Sequence, residues 1–186
     1  MADLGEHTGG VAVNRAALEH IIRAAAVISG DDEIIVIGSQ AVLGSFPNAP
    51  AAMLLSDEAD VYPKNFPERA DLIEGSIGEL SPFHMTFGYY AEGASEQTAS
   101  LPVGWQARLV RVQNPNTRGA TGLCLDVHDL VAAKLVAGRE KDSAYAAAAL
   151  GAKLVDLNVL LDRIATINVD DRLRRAASER AQSLVG

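Results

Sequence analysis

Two carboxylates that lie two positions apart, Glu58 and Asp60, are the side chains of this sequence best placed for metal chemistry. They belong to the segment SDEADVYP, residues 56–63. In an extended strand such side chains project from the same side, so both could chelate one divalent cation. Mg²⁺ and Mn²⁺ prefer oxygen ligands, and phosphoryl-transfer sites commonly combine carboxylates with substrate phosphates. A solvated edge strand with alternating charges is the competing interpretation, and for this segment alone it is the commoner one.

A glycine and a serine follow an apolar run about 20 residues upstream, in IIVIGSQAVLG, residues 34–44. The run is typical of a strand buried on both faces, and SQAVLG can begin a short helix. Gly38 would let a ligand approach the backbone, and the N–H groups of the helix start could bind an anion beside the Ser39 hydroxyl. Strand-to-helix turns also need glycine for steric reasons, so this pair is a weak signal by itself.

The segment LDVHDLVAAKLVAGREKD, residues 125–142, places cations beside an apolar helix. Lys134 interrupts the apolar stretch, where a lysine either snorkels outward or reaches into a site. Arg139, Lys141 and Asp142 follow the helix end at Gly138. Cations favour a helix C-terminus and acids favour the next helix start, which explains these three residues without a function. Lys134 is harder to explain that way.

The elements that must position these residues can be predicted from the apolar spacing. Helices are expected at about 15–29, from Asn65 or Pro67 to about 80, and at about 127–137, 140–150, 153–165 and 169–184, with Asn14 as the first cap and Gly30 and Gly138 as ends. Strands are expected at 34–37, through EADVYP, and at 107–113 and 121–125, whereas residues 81–100 are interpreted as irregular. The predicted organisation is a tail at 1–11, an α/β core at 12–125 and a helical region at 126–186 packed on that core.

Composition narrows the classes of function. The 186 residues are 48% hydrophobic and 22% charged, which suits one folded domain with a helical appendage. A formal charge of −8 argues against broad binding to nucleic acid or to an anionic membrane. The single Cys124 excludes an internal disulfide, and we expect it in the core. No signal region and no apolar run of about 18 residues is present, so we expect a cytoplasmic protein without a membrane partner.

Taken together and in this order, IGS, EADVYP and KLVAGREKD resemble the nucleotidyltransferase superfamily. The sequence is similar in particular to an uncharacterised bacterial branch with EAD and HDLxxxKLxAGREKD signatures, and more distantly to abortive-infection type nucleotidyltransferase toxins of toxin–antitoxin systems. The resemblance covers about residues 30–150, and KLVAGREKD is its most specific part.

The resemblance implies an α+β fold, a mixed sheet flanked by helices with a helical C-terminal part. It implies that Gly38 and Ser39 contact nucleotide phosphates and that Glu58 and Asp60 bind Mg²⁺ or Mn²⁺. Lys134, Arg139 and Asp142 would complete a pocket for a nucleoside triphosphate. An acceptor hydroxyl would attack the α-phosphorus while pyrophosphate leaves. The acceptor is unidentified, and RNA or a protein stays open, although the net charge does not indicate RNA.

Three departures from the family pattern define an alternative. Glu58 stands where an Asp is more usual. Tyr145 stands where toxin relatives often have a second aspartate. Active members also often take a third acid from a later strand. The strand predicted at 107–113 offers Arg108 and Arg111 but no carboxylate. The alternatives are therefore a catalytically silent module that binds a nucleotide or a protein, or the toxin component of a toxin–antitoxin pair.

Overall fold

The computed structural model describes residues 11–186 of the chain. They form five strands and seven α-helices. In chain order these are α1 Arg15–Ser29, β1 Glu33–Val36, β2 Glu58–Pro63, α2 Ala70–Ile77, α3 Pro82–Phe87, β3 Tyr90–Gly93, β4 Val110–Val112, β5 Thr121–Cys124, α4 Val127–Ala137, α5 Glu140–Gly151, α6 Leu157–Thr166 and α7 Asp171–Ser183. The predicted tail at 1–11 lies outside the described residues except for Val11, whose N–H donates to the Gly88 carbonyl at 2.8 Å.

The strands form one mixed sheet in the order β3-β2-β1-β5-β4. β1 pairs with β5 and β2 pairs with β3 in parallel, whereas β1–β2 and β4–β5 are antiparallel. This is the mixed α+β architecture that the sequence predicts, with helices flanking the sheet and a helical C-terminal part.

The two faces of the sheet differ in chemistry. On β2, Ala59 and Val61 point to one face, which α1 and α2 cover, whereas Glu58, Asp60 and Tyr62 point to the other. Ile22 of α1 packs so closely on Gly122 of β5 that a side chain there would overlap it. The acidic face of β2 is therefore the face left for a ligand.

The local signals at helix ends agree with the structure. Asn14 caps α1 by accepting from the Ala17 N–H at 2.8 Å. Gly30 and Gly138 end α1 and α4 in the left-handed conformation, with φ of 68° and 69°. The segment SQAVLG forms a short 3-10 helix, Ser39–Gly44. The predicted strands at 107–113 and 121–125 are shorter, and the first begins after a 3-10 turn, Trp105–Arg108.

One prediction about the core is wrong. Residues 81–100 are not irregular, because they contain α3, β3 and a 3-10 turn, Glu96–Thr98. β3 is only four residues long and pairs with β2 along the edge of the sheet. This correction matters because β3 carries a carboxylate to the acidic face.

The helices from α4 onward pack on one another, and α4 also contacts the turn after β1. Within residues 11–186, no helix is long and apolar enough to span a bilayer.

Candidate functional site

Three carboxylates converge on the open face of the sheet. Glu58 and Asp60 lie on β2, and Glu92 lies directly opposite Asp60 in the parallel pairing of β2 with β3. One oxygen from each of the three side chains lies within 4.8 Å of the others. The predicted pair does share a face, and Glu92 is the third acid that the strand at 107–113 does not supply.

Burial and mutual repulsion raise the pKa values of Asp60 and Glu92 in this cluster. Burial and then the charge of Glu58 raise the pKa of Asp60. Burial, followed by the charges of Glu58 and Asp60, also raises the pKa of Glu92. Three anionic oxygens at this spacing repel each other, and a hard divalent cation would relieve that repulsion. The donor set therefore fits Mg²⁺ or Mn²⁺.

The turn after β1 lies against the cluster. The Ile37 N–H donates to the Asp60 carbonyl at 3.1 Å, which holds the turn beside β2. A Cβ on residue 38 would overlap the Asp60 carboxylate. Gly38 is therefore required for the close approach of this carboxylate to the backbone.

Tyr90 fixes the carboxylate of Glu58. It lies opposite Glu58 in the sheet register, and its hydroxyl donates to Glu58 Oε2 at 2.7 Å. The His84 ring packs against the Tyr90 ring with centroids 4.7 Å apart, and His84 Nε2 lies 3.7 Å from Asp57 Oδ2. Burial and the bond to Glu58 raise the pKa of Tyr90, so its hydroxyl stays a donor.

Cations line the same cavity as the carboxylates. Lys134 of α4 has only 13% of its side chain exposed, and its Nζ lies 3.5 Å from Asp142 Oδ1. Arg139 Nε donates to Asp142 Oδ2 at 2.7 Å. Burial would raise the pKa of Asp142, but the bonds from Arg139 and the charge of Lys134 lower it on balance. Burial lowers the pKa of Lys134, against the opposing effect of Asp142.

Tyr145 joins the cations to the turn after β1. Lys134 Nζ lies 4.5 Å from the centre of the Tyr145 ring, a cation–π contact. The Tyr145 hydroxyl donates to the Ser39 carbonyl at 2.6 Å. Tyr145, which stands where toxin relatives often have an aspartate, therefore anchors the Gly38–Ser39 turn.

These groups line one cavity of about 650 Å³. Of the residues predicted from the sequence, those in the lining are Gly38, Ser39, Glu58, Asp60, Lys134 and Arg139. Asp142 is fully buried and lies behind Lys134 and Arg139, so it positions them without facing the cavity. An apolar wall completes the cavity and includes Met53, Leu55, Val169 and Leu173.

Four lining or supporting residues were not predicted: Tyr90, Glu92, Lys141 and Tyr145. The segment YYAEG, residues 89–93, does carry a strand signal, since two aromatic residues precede an acid in an otherwise small-residue segment. Lys141 and Tyr145 are on the first two turns of α5, in the same block as the predicted Arg139 and Asp142.

Two other ionisable groups, Asp129 and Cys124, are buried outside the cavity lining. Asp129 is fully buried and accepts from Arg108 at 2.8 and 2.9 Å. Cys124 is fully buried, and burial raises the pKa of its thiol to about 12. Among residues 11–186, Glu58, Asp60 and Glu92 form the one cluster of three acidic, histidine or cysteine side chains that is spaced to hold a metal ion.

The open face of the mixed sheet carries three carboxylates, and they lie near a glycine-serine turn and the cations Lys134, Arg139 and Lys141. Together these features define a nucleotidyltransferase-like protein. Residues 16–183 match the family described as "Nucleotidyltransferase of unknown function (DUF6036)". The chain belongs to this family. Neither a curated protein nor a solved structure gives a significant match to it.

Proposed function

We propose that this protein is a nucleotidyltransferase that uses Mg²⁺ or Mn²⁺ and transfers a nucleotidyl group from a nucleoside triphosphate to an acceptor hydroxyl. The convergence of Glu58, Asp60 and Glu92 within 4.8 Å carries the proposal. The family supports the class of reaction, and the carboxylates support the choice of a hard divalent ion.

The cavity would accept both the metal ion and the triphosphate. The three carboxylates would hold the metal ion, and Lys134, Arg139 and Lys141, which line the same cavity, would bind phosphate oxygens. When bound, the ion would neutralise charge on the carboxylates and on the phosphates. Gly38 and Ser39 would bring backbone N–H groups to the triphosphate, and the apolar wall would accept the base.

In the transfer step, the acceptor oxygen forms a bond to the α-phosphorus while the bond from that phosphorus to the bridging oxygen breaks. Pyrophosphate leaves with the electron pair, and the hydroxyl proton passes to a carboxylate or to water. Residues of the chain act here by positioning and by electrostatic stabilisation.

The silent-module alternative depends on the lack of a third acid in the strand predicted at 107–113. Glu92 on β3 removes that basis, because it provides the carboxylate from a different strand. We therefore favour the active enzyme.

The test is incubation with each α-labelled nucleoside triphosphate, Mg²⁺ and candidate acceptors, including tRNA and the protein itself. We expect Asp60→Asn and Glu92→Gln to lower transfer by about 100-fold or more, as removal of preorganised electrostatic groups does. Glu179→Gln, an exposed acid on α7, is the matched control and should retain activity. Equal product from wild type and the Asp60→Asn variant would overturn the assigned site.

A further inference from the structure

A second cavity, of about 490 Å³, opens on the same face of the sheet as the carboxylates. Tyr62 lines it and is two residues from Asp60 on β2, so both side chains project from the same side. Two residues of a strand span about 7 Å. Ile35 and Leu123, which face each other across β1 and β5, also line this cavity. Its size is that of a small-molecule site.

One short segment separates the two cavities. Ala94 and Thr98 line the first cavity, whereas Ser95, Glu96 and Gln97 line the second. The Ala94 N–H donates to the Val61 carbonyl at 2.9 Å, which ties the segment to β2. A molecule in the second cavity would therefore lie one row of side chains from the metal-binding carboxylates.

Two aromatic side chains in the second cavity have polar atoms that bond to none of the described residues. Tyr62 and Trp105 are each only 6% exposed. Among the described residues, neither the Tyr62 hydroxyl nor the Trp105 indole N–H makes a hydrogen bond, and neither atom is among the buried polar atoms that lack a partner, so both atoms keep some contact with solvent. Both residues line the cavity, so their donors are available to a ligand.

The charged residues that line the second cavity differ in whether they form ion pairs. Lys64 forms an ion pair with Glu33 at 3.0 Å. Arg111 is exposed and has no ion-pair partner within residues 11–186. Glu96 is exposed, and among residues 11–186 its carboxylate accepts only from Gln106, at 3.4 Å. The cavity thus combines two aromatic rings, an unpaired guanidinium and a carboxylate acceptor.

We propose that this second cavity binds the acceptor of the transfer reaction and that the acceptor is a nucleotide. Aromatic rings bind the faces of nucleobases, and a guanidinium binds phosphate oxygens. Glu96 can accept from the amino or imino groups of the base. The proposal rests on the proposed function, because it assigns the second substrate of that same reaction. A hydroxyl of this nucleotide would form the new bond to the α-phosphorus, pyrophosphate would leave, and the hydroxyl proton would pass to solvent.

Trp105 is the single tryptophan of the chain, so its fluorescence reports on this cavity directly. The experiment titrates metal-free protein with AMP, GMP, CMP and UMP, and with the matching nucleosides. We expect a saturable change in Trp105 fluorescence. Arg111→Leu should weaken binding of the monophosphates by about 10-fold, the effect of one charge-assisted hydrogen bond, and leave nucleoside binding unchanged. Tyr62→Phe should weaken both.

Two controls separate this site from the first cavity. Arg175→Leu removes another exposed arginine, on α7, and should not change the titration. Lys134→Met should leave the fluorescence titration intact, since Lys134 lines the first cavity. The proposal is overturned if millimolar nucleotides leave the fluorescence unchanged. It is equally overturned if Lys134→Met abolishes the change while Arg111→Leu does not.

The role as acceptor site is tested with α-labelled triphosphates and each monophosphate as acceptor. Arg111→Leu should raise the KM for the monophosphate and leave the KM for the triphosphate unchanged. Binding without transfer, in a protein that transfers to another acceptor, overturns the acceptor role. A protein that transfers to nothing but still binds monophosphates refutes the proposed function instead, so the two failures are distinguishable.

Discussion

At the residue scale, the longer side chain of Glu58 needs a partner that a shorter aspartate would not need. Glu has one more rotatable bond than Asp, so its carboxylate is less constrained by the strand. Tyr90 supplies the constraint, because it lies directly opposite and donates to Oε2 at 2.7 Å. The remaining lone pairs of the carboxylate stay available to a metal ion.

Tyr90→Phe is therefore expected to weaken metal binding by about 10-fold, the lower end of the range for groups that orient metal ligands. Mn²⁺ titration followed by electron paramagnetic resonance, without nucleotide, measures this. Tyr89→Phe is the matched control, because the Tyr89 hydroxyl pairs with His20 Nδ1 at 2.9 Å and not with the acidic cluster. Equal Mn²⁺ affinity in Tyr90→Phe and wild type would contradict the positioning role of Tyr90.

Part of the site could be predicted residue by residue. Glu58 and Asp60 could be predicted because alternation along one strand is a local property. Glu92 could not be predicted, since its place opposite Asp60 depends on the pairing of two strands about 30 residues apart. The roles of Asp142 and Tyr145 depend likewise on how α5 packs against Lys134 and the Ser39 turn, and spacing along the chain does not determine that.

At the element scale, Glu19 connects α1 to the 3-10 turn Pro115–Thr117. It is 5% exposed and accepts from Asn114 at 2.6 Å, from Asn116 at 2.8 Å and from Arg15 at 2.9 Å. Burial alone would raise the pKa of Glu19, but these donors lower it below its ordinary value of 4.5. A lowered pKa means that the charged form stabilises the fold above pH 4.5 and that this contribution is lost as the pH falls through the folded-state value.

Glu19→Gln should lower the free energy of unfolding by about 1–3 kcal/mol at pH 7, because three donors lose a charged acceptor. The difference from wild type should shrink as the pH falls below 4.5. Urea unfolding at several pH values measures both effects. Glu68→Gln, an acid 70% exposed, should be neutral throughout. A difference that stayed constant down to pH 3 would show that the charge of Glu19 is not the cause.

The elements that could be predicted from the sequence are those whose ends depend on local signals. The ends of α1 and α4 depend on Asn14, Gly30 and Gly138, which act on their own backbone neighbours. α3 and β3, with six and four residues, are too short for a periodic signal. They are stabilised by packing instead, as β3 is by its pairing with β2 and its contact with α2.

For the whole molecule, metal binding and folding should be coupled. The three carboxylates lie together only in the folded chain, so the proposed site should give the folded state a higher affinity for Mg²⁺ than the unfolded one. At 100 times the dissociation constant, this adds about 2.7 kcal/mol to the free energy of unfolding. Thermal unfolding with MgCl₂, against NaCl of equal ionic strength, measures the effect.

Asp60→Asn is the informative variant for this measurement. It should abolish the stabilisation by Mg²⁺, yet be no less stable than wild type without metal, because burial and Glu58 disfavour the charged form of Asp60. Mg²⁺ stabilisation that persisted in Asp60→Asn would place the ion elsewhere.

Helix α7 forms part of the apolar wall of the first cavity, and this affects when the cavity is completed during synthesis. Leu173 lines the first cavity, and Arg180 of the same helix donates to the Leu135 carbonyl at the end of α4, at 2.9 Å. A ribosome makes the chain from the N-terminus, so α7 emerges after every other described element. A nascent chain would already hold all three carboxylates but would lack one side of the cavity. If the proposed function is right, we expect the capacity to hold a nucleotide to appear only when α7 has emerged, after all five strands of the sheet.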